Sequence, residues 1–124
     1  MKHWAEQYIG TEWANDPERD CWGFVRRVWR EQFGLDVPAV DVDALNRLSC
    51  VRAIESHAPS WQRVEQPQEG DAVLLARGRH PSHVGVWAAG GILHCLESSG
   101  TVFQRPSGLA LTGWRIAGFY RRAA

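Results

Sequence analysis

The hydrophobic period changes once along this chain, and that change constrains the fold more than any other feature. Between Asp20 and Gly34, DCWGFVRRVWREQFG places Phe24, Val25, Val28, Trp29 and Phe33 on one stripe and Arg26, Arg27, Arg30 and Glu31 on the other. This is the pattern of an amphipathic helix, with Asp20 as its N-cap and Gly34 as its stop. A weaker helical pattern follows Asp43, through Ala44, Leu45, Leu48, Val51 and Ile54, and ends before Pro59. Beyond Pro59 the pattern becomes strand-like: Trp61 to Glu65, Ala72 to Ala76, His83 to Ala88, Ile92 to Glu97, Val102 to Arg105 and Trp114 to Arg121, separated by turn residues such as PQEGD. Helices first and strands afterwards predict an α+β fold, N-terminal helices packed on a five- to six-stranded antiparallel sheet.

Composition narrows the function. The 124 residues carry 14 Lys plus Arg against 14 Asp plus Glu, so the balance lacks the cationic excess of a nucleic-acid binder. A chain of this length buries roughly two-thirds of its unfolded surface, enough for a core without metal or disulfide staples, and residues 1–124 read as one domain. Its longest apolar run, Ala72 to Ala76, is far short of the roughly 20 residues of a membrane span. MKHWAEQYIG has no secretory apolar stretch, so the expectation is synthesis in the cytoplasm. The 3 cysteines, Cys21, Cys50 and Cys95, form no CxxC pair, which disfavours a disulfide framework and a zinc ribbon alike.

The chemistry gathers around one cysteine and two histidines. Cys21 follows the N-cap, where free backbone N–H groups and the helix dipole favour a thiolate, so the expectation is a thiol that ionises easily. It lies within about one turn of Phe24 and Val25, so the sulfur points at the sheet. The segment SHVGVWAAGGILHCLE reads as a hairpin turning within Ala88 to Gly91, and an even-length loop puts His83 and His94 on one face, about 5 to 8 Å apart, with Cys95 and Glu97 on the other. A thiolate, an imidazole base and a polar group orienting that base suffice for nucleophilic acyl transfer. A zinc site from Cys21, His83 and His94 is the competing reading, disfavoured by the lack of a close ligand pair. His3, His57 and His80 read as half-exposed polar residues. Cys50 and Cys95 read as bystanders.

Three blocks, DCWGFVRRVWREQFGLDVP, PQEGDAVLL and HVGVWAAGGILHC, resemble in order and spacing the NlpC-type papain-like cysteine peptidases of the cell wall, most closely their short phage-tail branch. The resemblance runs from about Gly10 to about Leu96. It implies a papain-like core, Cys21 as nucleophile, His83 as base and His94 as orienting residue, with no metal or cofactor. It implies hydrolysis of amide bonds in peptidoglycan stem peptides, commonly between D-glutamate and the diamino acid. Asp20 would then help bind a substrate amino group, alongside its cap role. The partners implied are peptidoglycan and, for a short domain without a separate wall-binding module, the proteins of a phage tail tip or a secretion machine that delivers it to the wall.

This chain departs from the family pattern at two places. Trp22 stands where a serine usually follows the cysteine, and GTEWANDPERDC has Trp13 near the position of a tyrosine and lacks the glycine pair beside it. With no phenolic hydroxyl, the Cys21 backbone N–H is the expected oxyanion donor. Trp13 and Trp22 are the groove candidates, while Trp29 and Trp114 are explained by core packing and the remaining tryptophans are read as structural. Competing functions are a muramoyl-alanine amidase, a secreted antibacterial effector with the same triad, and a silent tail assembly protein.

Overall fold

The structure, a computed structural model, describes residues 3–40, 46–57 and 61–122. A 3-10 turn at Trp4–Tyr8 precedes helix α1 (Cys21–Phe33) and helix α2 (Arg47–His57). Strands β1 (Trp61–Val64), β2 (Ala72–Ala76), β3 (Pro81–Ala88), β4 (Gly91–Leu96) and β5 (Gly100–Gln104) follow. A short helix α3 (Pro106–Leu109) and a 3-10 turn (Ala110–Thr112) lead into β6 (Arg115–Arg122). The strands form one antiparallel six-stranded sheet in the order β1-β6-β2-β3-β4-β5. The expected α+β arrangement is therefore present, and it is consistent with a papain-like core. No helix among the described residues is long and apolar enough to cross a membrane.

Helix α1 begins and ends where its local chemistry dictates. The Asp20 carboxylate accepts from the Gly23 N–H at 2.7 Å, and Gly34 closes the helix at φ 66°, a left-handed conformation that costs glycine little. Phe24, Val25, Val28 and Trp29 are buried as the stripe predicts, whereas Phe33 is half out of the core and lays its ring against Gly70. The second helix runs over Arg47–His57; Asp43, Ala44, Leu45 and Pro59 lie outside the described residues. Its pattern is weaker in fact as well: Val51 is buried and Leu48 is exposed.

Both faces of the sheet are covered. On one, Phe24, Val25, Val28 and Trp29 pack on Leu74, Val84, Val86, Leu93 and Cys95. On the other, Val73, Leu75 and Ile92 meet Leu109 and Trp114 from the α3 segment. This explains why β2 reads as an unbroken apolar run: every one of its residues is buried, and alternate residues serve opposite cores. The chain does not run through the sheet as a simple meander, because β6 inserts between β1 and β2. A forked ion pair ties that insertion down, with Arg121 donating to both oxygens of the buried Asp71 at 2.9 and 2.6 Å.

Candidate active site

The β3–β4 hairpin sets the geometry. Its turn is Ala89-Gly90, at φ 51° and 77°, the pair of positive angles that suits a two-residue hairpin loop. The ladder pairs Val86 with Leu93, Trp87 with Ile92 and Ala88 with Gly91, an odd-with-even register. His83 and His94 therefore share a face as expected, and His83 Nε2 lies 2.9 Å from His94 Nδ1. Gly85 makes this approach possible: a Cβ there would lie 2.9 Å from the Cβ of His94 and 2.8 Å from a methyl of Ile92.

A chain of hydrogen bonds beyond His94 fixes the proton positions. Thr112 spends its hydroxyl proton on the Leu109 carbonyl at 2.8 Å, so toward Gln104 its oxygen can only accept. The Gln104 amide NH2 donates to it at a long 3.5 Å, which turns the amide oxygen toward His94 Nε2 at 2.8 Å. His94 Nε2 is therefore the protonated nitrogen and Nδ1 the acceptor. His83 must donate from Nε2, and its Nδ1 is left as the basic nitrogen. This is the tautomer a thiol-activating base requires. Strand pattern alone does not single out Gln104; on β5 it sits opposite Ile92, two residues from Val102, the partner of His94.

Cys21 shares a cavity wall with His83 but comes from the α1 side of the sheet. Val84, Val86 and Cys95 face α1, while His83, opposite Leu75, points to the other face. The two sides meet at the ends of β3 and β4, where Cys21, His83, Ser82, Cys95 and Trp13 line one cavity of about 320 Å³. The Val84 backbone N–H eases ionisation of the Cys21 thiol, so the thiol lies near the residue that follows His83. A second, almost wholly apolar cavity of about 90 Å³, also lined by Cys21, lies among Trp22, Trp29, Ile54 and Trp61.

The electrostatics reverse one expectation. Burial pushes the Cys21 thiol up, the adjacent Asp20 charge adds to that, and the Val84 N–H only partly opposes them, so the thiol is pushed up to about 12. A helix start alone would act the other way. Here, however, the Asp20 carboxylate accepts from the Gly23 N–H of that start and brings a like charge beside the sulfur. His83 is held well below the usual imidazole range by burial, then by His94 and Arg77. His94 is lowered by burial, against the support of Gln104. The resting pair is thus a thiol beside a neutral imidazole.

The other expected residues are distributed as follows. Trp13 lines the cavity that holds Cys21 and His83. Trp22 lines the apolar cavity, packs edge-on against Trp29 and Trp61, and donates to the Pro38 carbonyl at 3.4 Å. Asp20 is buried in its cap and lies on neither cavity wall. Cys50 and Cys95 are more than bystanders in position, since both line the cavity that holds Cys21 and His83 and both add to the upward pressure on the Cys21 thiol. Trp114, expected as core packing, also stacks on His83, with ring centroids 4.9 Å apart and planes 28° from parallel. His57 lines the apolar cavity, His3 caps the first turn, and His80 faces Glu55 at 3.4 Å. Among the described residues no cluster of three metal-ligating side chains could hold an ion.

No curated protein sequence matches the chain. The NlpC/P60 family profile matches residues 7–111, and with most of its length so matched the chain belongs to this family of cell-wall cysteine peptidases.

Proposed function

We propose that the protein hydrolyses amide bonds in peptidoglycan stem peptides, with Cys21 as nucleophile, His83 as base and His94 as the residue that orients it. The observation that carries this reading is the directed hydrogen-bond chain, which leaves Nδ1 as the basic nitrogen of His83, a residue that lines the cavity shared with Cys21. The sulfur attacks the scissile carbonyl carbon as its proton passes to His83 Nδ1. The carbonyl oxygen takes the negative charge, and the Cys21 backbone N–H at the helix start is the donor suited to it. Collapse breaks the C–N bond, His83 returns the proton to the leaving amine, and a thioester remains. Water, deprotonated by His83, then attacks the thioester and releases the acid and the free thiol.

The bond between D-glutamate and the diamino acid is the preferred target within this reading, supported by the resemblance of the three sequence blocks. Association with a phage or prophage tail, and delivery to the wall by it, rest on that resemblance alone. Trp13 is assigned to the substrate side of the cavity, and Asp20 and Trp22 to the support of the helix start. Cys21→Ala and His83→Ala are expected to abolish release of muropeptide fragments while the protein stays folded, and mass analysis of the wild-type products identifies the bond. A folded Cys21→Ala protein that still cuts would refute the reading, and products of muramoyl-alanine cleavage would redirect it to an amidase.

A further inference from the structure

The catalytic cavity holds a cation that no step of this hydrolysis uses. Arg77, in the turn after β2, lines the same wall as Cys21 and His83. Its guanidinium carbon lies 4.0 Å from the ring centroid of Trp114, and one of its terminal nitrogens donates to the Thr112 carbonyl at 2.7 Å. Trp114 in turn stacks on His83. An unrestrained arginine samples many rotamers, and these two contacts hold this one at a fixed place beside the base. The guanidinium presents several N–H donors in a planar fork, a shape that matches a carboxylate. The rest of this wall is neutral at Trp13, Ser82, Leu96 and Ser98, and carries one carboxylate, Glu97.

We propose that Arg77 is a binding subsite for a carboxylate carried by the substrate close to its scissile carbonyl. The chain would then select acyl groups that bear an anion within a few bonds of the one it cuts. The identity of the bond rests on the peptidase reading, but the anion subsite does not.

The same placement couples recognition to chemistry. His83 touches His94 from β4 and Trp114 before β6, and the titratable and charged groups that share its cavity wall are Cys21 from α1, Cys50 from α2, Cys95 from β4, Arg77 and Glu97. After burial and His94, the Arg77 charge is what keeps His83 neutral. A carboxylate seated on Arg77 offsets that charge, so the anion that is recognised also makes His83 a better acceptor for the Cys21 proton.

Two small alkylating agents of similar size test this without a peptide substrate: iodoacetate, which carries the anion, and iodoacetamide, which does not. The readout is the ratio of their rates at Cys21, measured on the Cys21 peptide by mass spectrometry. In Arg77→Gln the iodoacetate-to-iodoacetamide ratio is expected to fall about three- to tenfold, the range of a charged contact in a partly open site. Arg77→Lys is expected to keep most of the wild-type ratio. An unchanged ratio in Arg77→Gln overturns the proposal, and so does an equal loss with both reagents, which marks Arg77 as a support for Trp114 only. Paired γ-D-glutamyl peptides, with the α-carboxylate free or as the carboxamide, complete the test. Wild-type protein is expected to prefer the free acid and Arg77→Gln to lose that preference. If neither peptide is cut while the alkylation ratio still responds to Arg77, the subsite stands and the peptidase reading falls.

Discussion

His83 and His94 are joined Nε2 to Nδ1 at 2.9 Å, and the direction of the proton between them is decided by residues on the far side of His94. The polarity starts at the Leu109 carbonyl and runs through Thr112 and Gln104 to the second histidine. Each member has its donor or acceptor role set by the one before it, so the tautomer of His83 is fixed by the fold itself.

Gln104 is therefore expected to act as a positioning residue. Gln104→Leu keeps the volume and removes the acceptor, freeing His94 to take either tautomer. The expected loss is about 10- to 100-fold in kcat, in the range seen when the partner of a functional histidine is removed. Gln104→Glu keeps an acceptor toward His94 and adds a negative charge that favours the imidazolium. It is expected to retain activity with the acidic limb of the kcat/KM profile moved to higher pH. Nitrogen-15 shifts of the imidazoles separate this from a general loss of packing, because only the tautomer explanation requires His94 to change protonation site.

The two histidines also set a pH limit on stability. Both are buried, and both have folded-state proton affinities below the free imidazole value of 6.5. An unfolded chain binds protons at these sites as the pH falls through about 6.5, whereas the folded chain resists doing so. Their contribution is thus present above that value and lost below it, by up to about 1.4 kcal/mol per pH unit for each histidine. Urea unfolding at about pH 7.5 and about pH 5.5 is expected to show this loss, and His83→Gln to reduce the slope. A flat profile would mean that the pair is accessible to protons in the folded state.

Much of this site is readable from short-range pattern and the rest is not. The α1 stripe, the Asp20 cap and the Gly34 stop are local, and each is where periodicity places it. The His83–His94 pair follows from a period of two and a short turn. Gln104 requires a second register, carried through the turn after β4, so its place beside His94 cannot be read from the first hairpin. Arg77 comes near His83 through the β2–β3 hairpin, but Trp114 meets both only because β6 returns to pair with β2, a non-sequential pairing with no signature in strand order. The thiol is a further case. The helix dipole is a local effect, but burial and the Asp20 charge outweigh it, and burial is a property of the whole fold.

Gly85 is expected to be intolerant of any side chain. A Cβ there meets His94, Ile92 and the Leu93 carbonyl within 3 Å, and two of these contacts are to side chains packed in the sheet. Gly85→Ala should force β3 and β4 apart at the level of the histidines. The expected cost is about 1–3 kcal/mol of stability, with a loss of activity beyond what the unfolded fraction explains. Comparing kcat with the folded fraction, measured under the same conditions, checks the second point.

Asp20 gives the sharpest test of how the Cys21 thiol is held. Its carboxylate both caps α1 and, as a like charge, makes the Cys21 thiol harder to ionise; burial is the larger cause and Asp20 the next. Replacing Asp20 by asparagine would keep a cap, since asparagine is as good at that position as aspartate. Asp20→Asn should therefore leave the fold in place and shift the Cys21 titration downward, so that iodoacetamide modifies Cys21 faster at neutral pH than in wild type. His83→Ala should act oppositely, because the neutral imidazole is the acceptor through which the thiol loses its proton. In wild type the modification rate should rise steeply only above the range of a free thiol, about 8.5, since the resting pair is uncharged. If Asp20→Asn leaves the rate profile unchanged, the thiol is governed by burial alone. If it slows modification, the carboxylate aids thiolate formation and its like-charge effect is not what holds the thiol neutral.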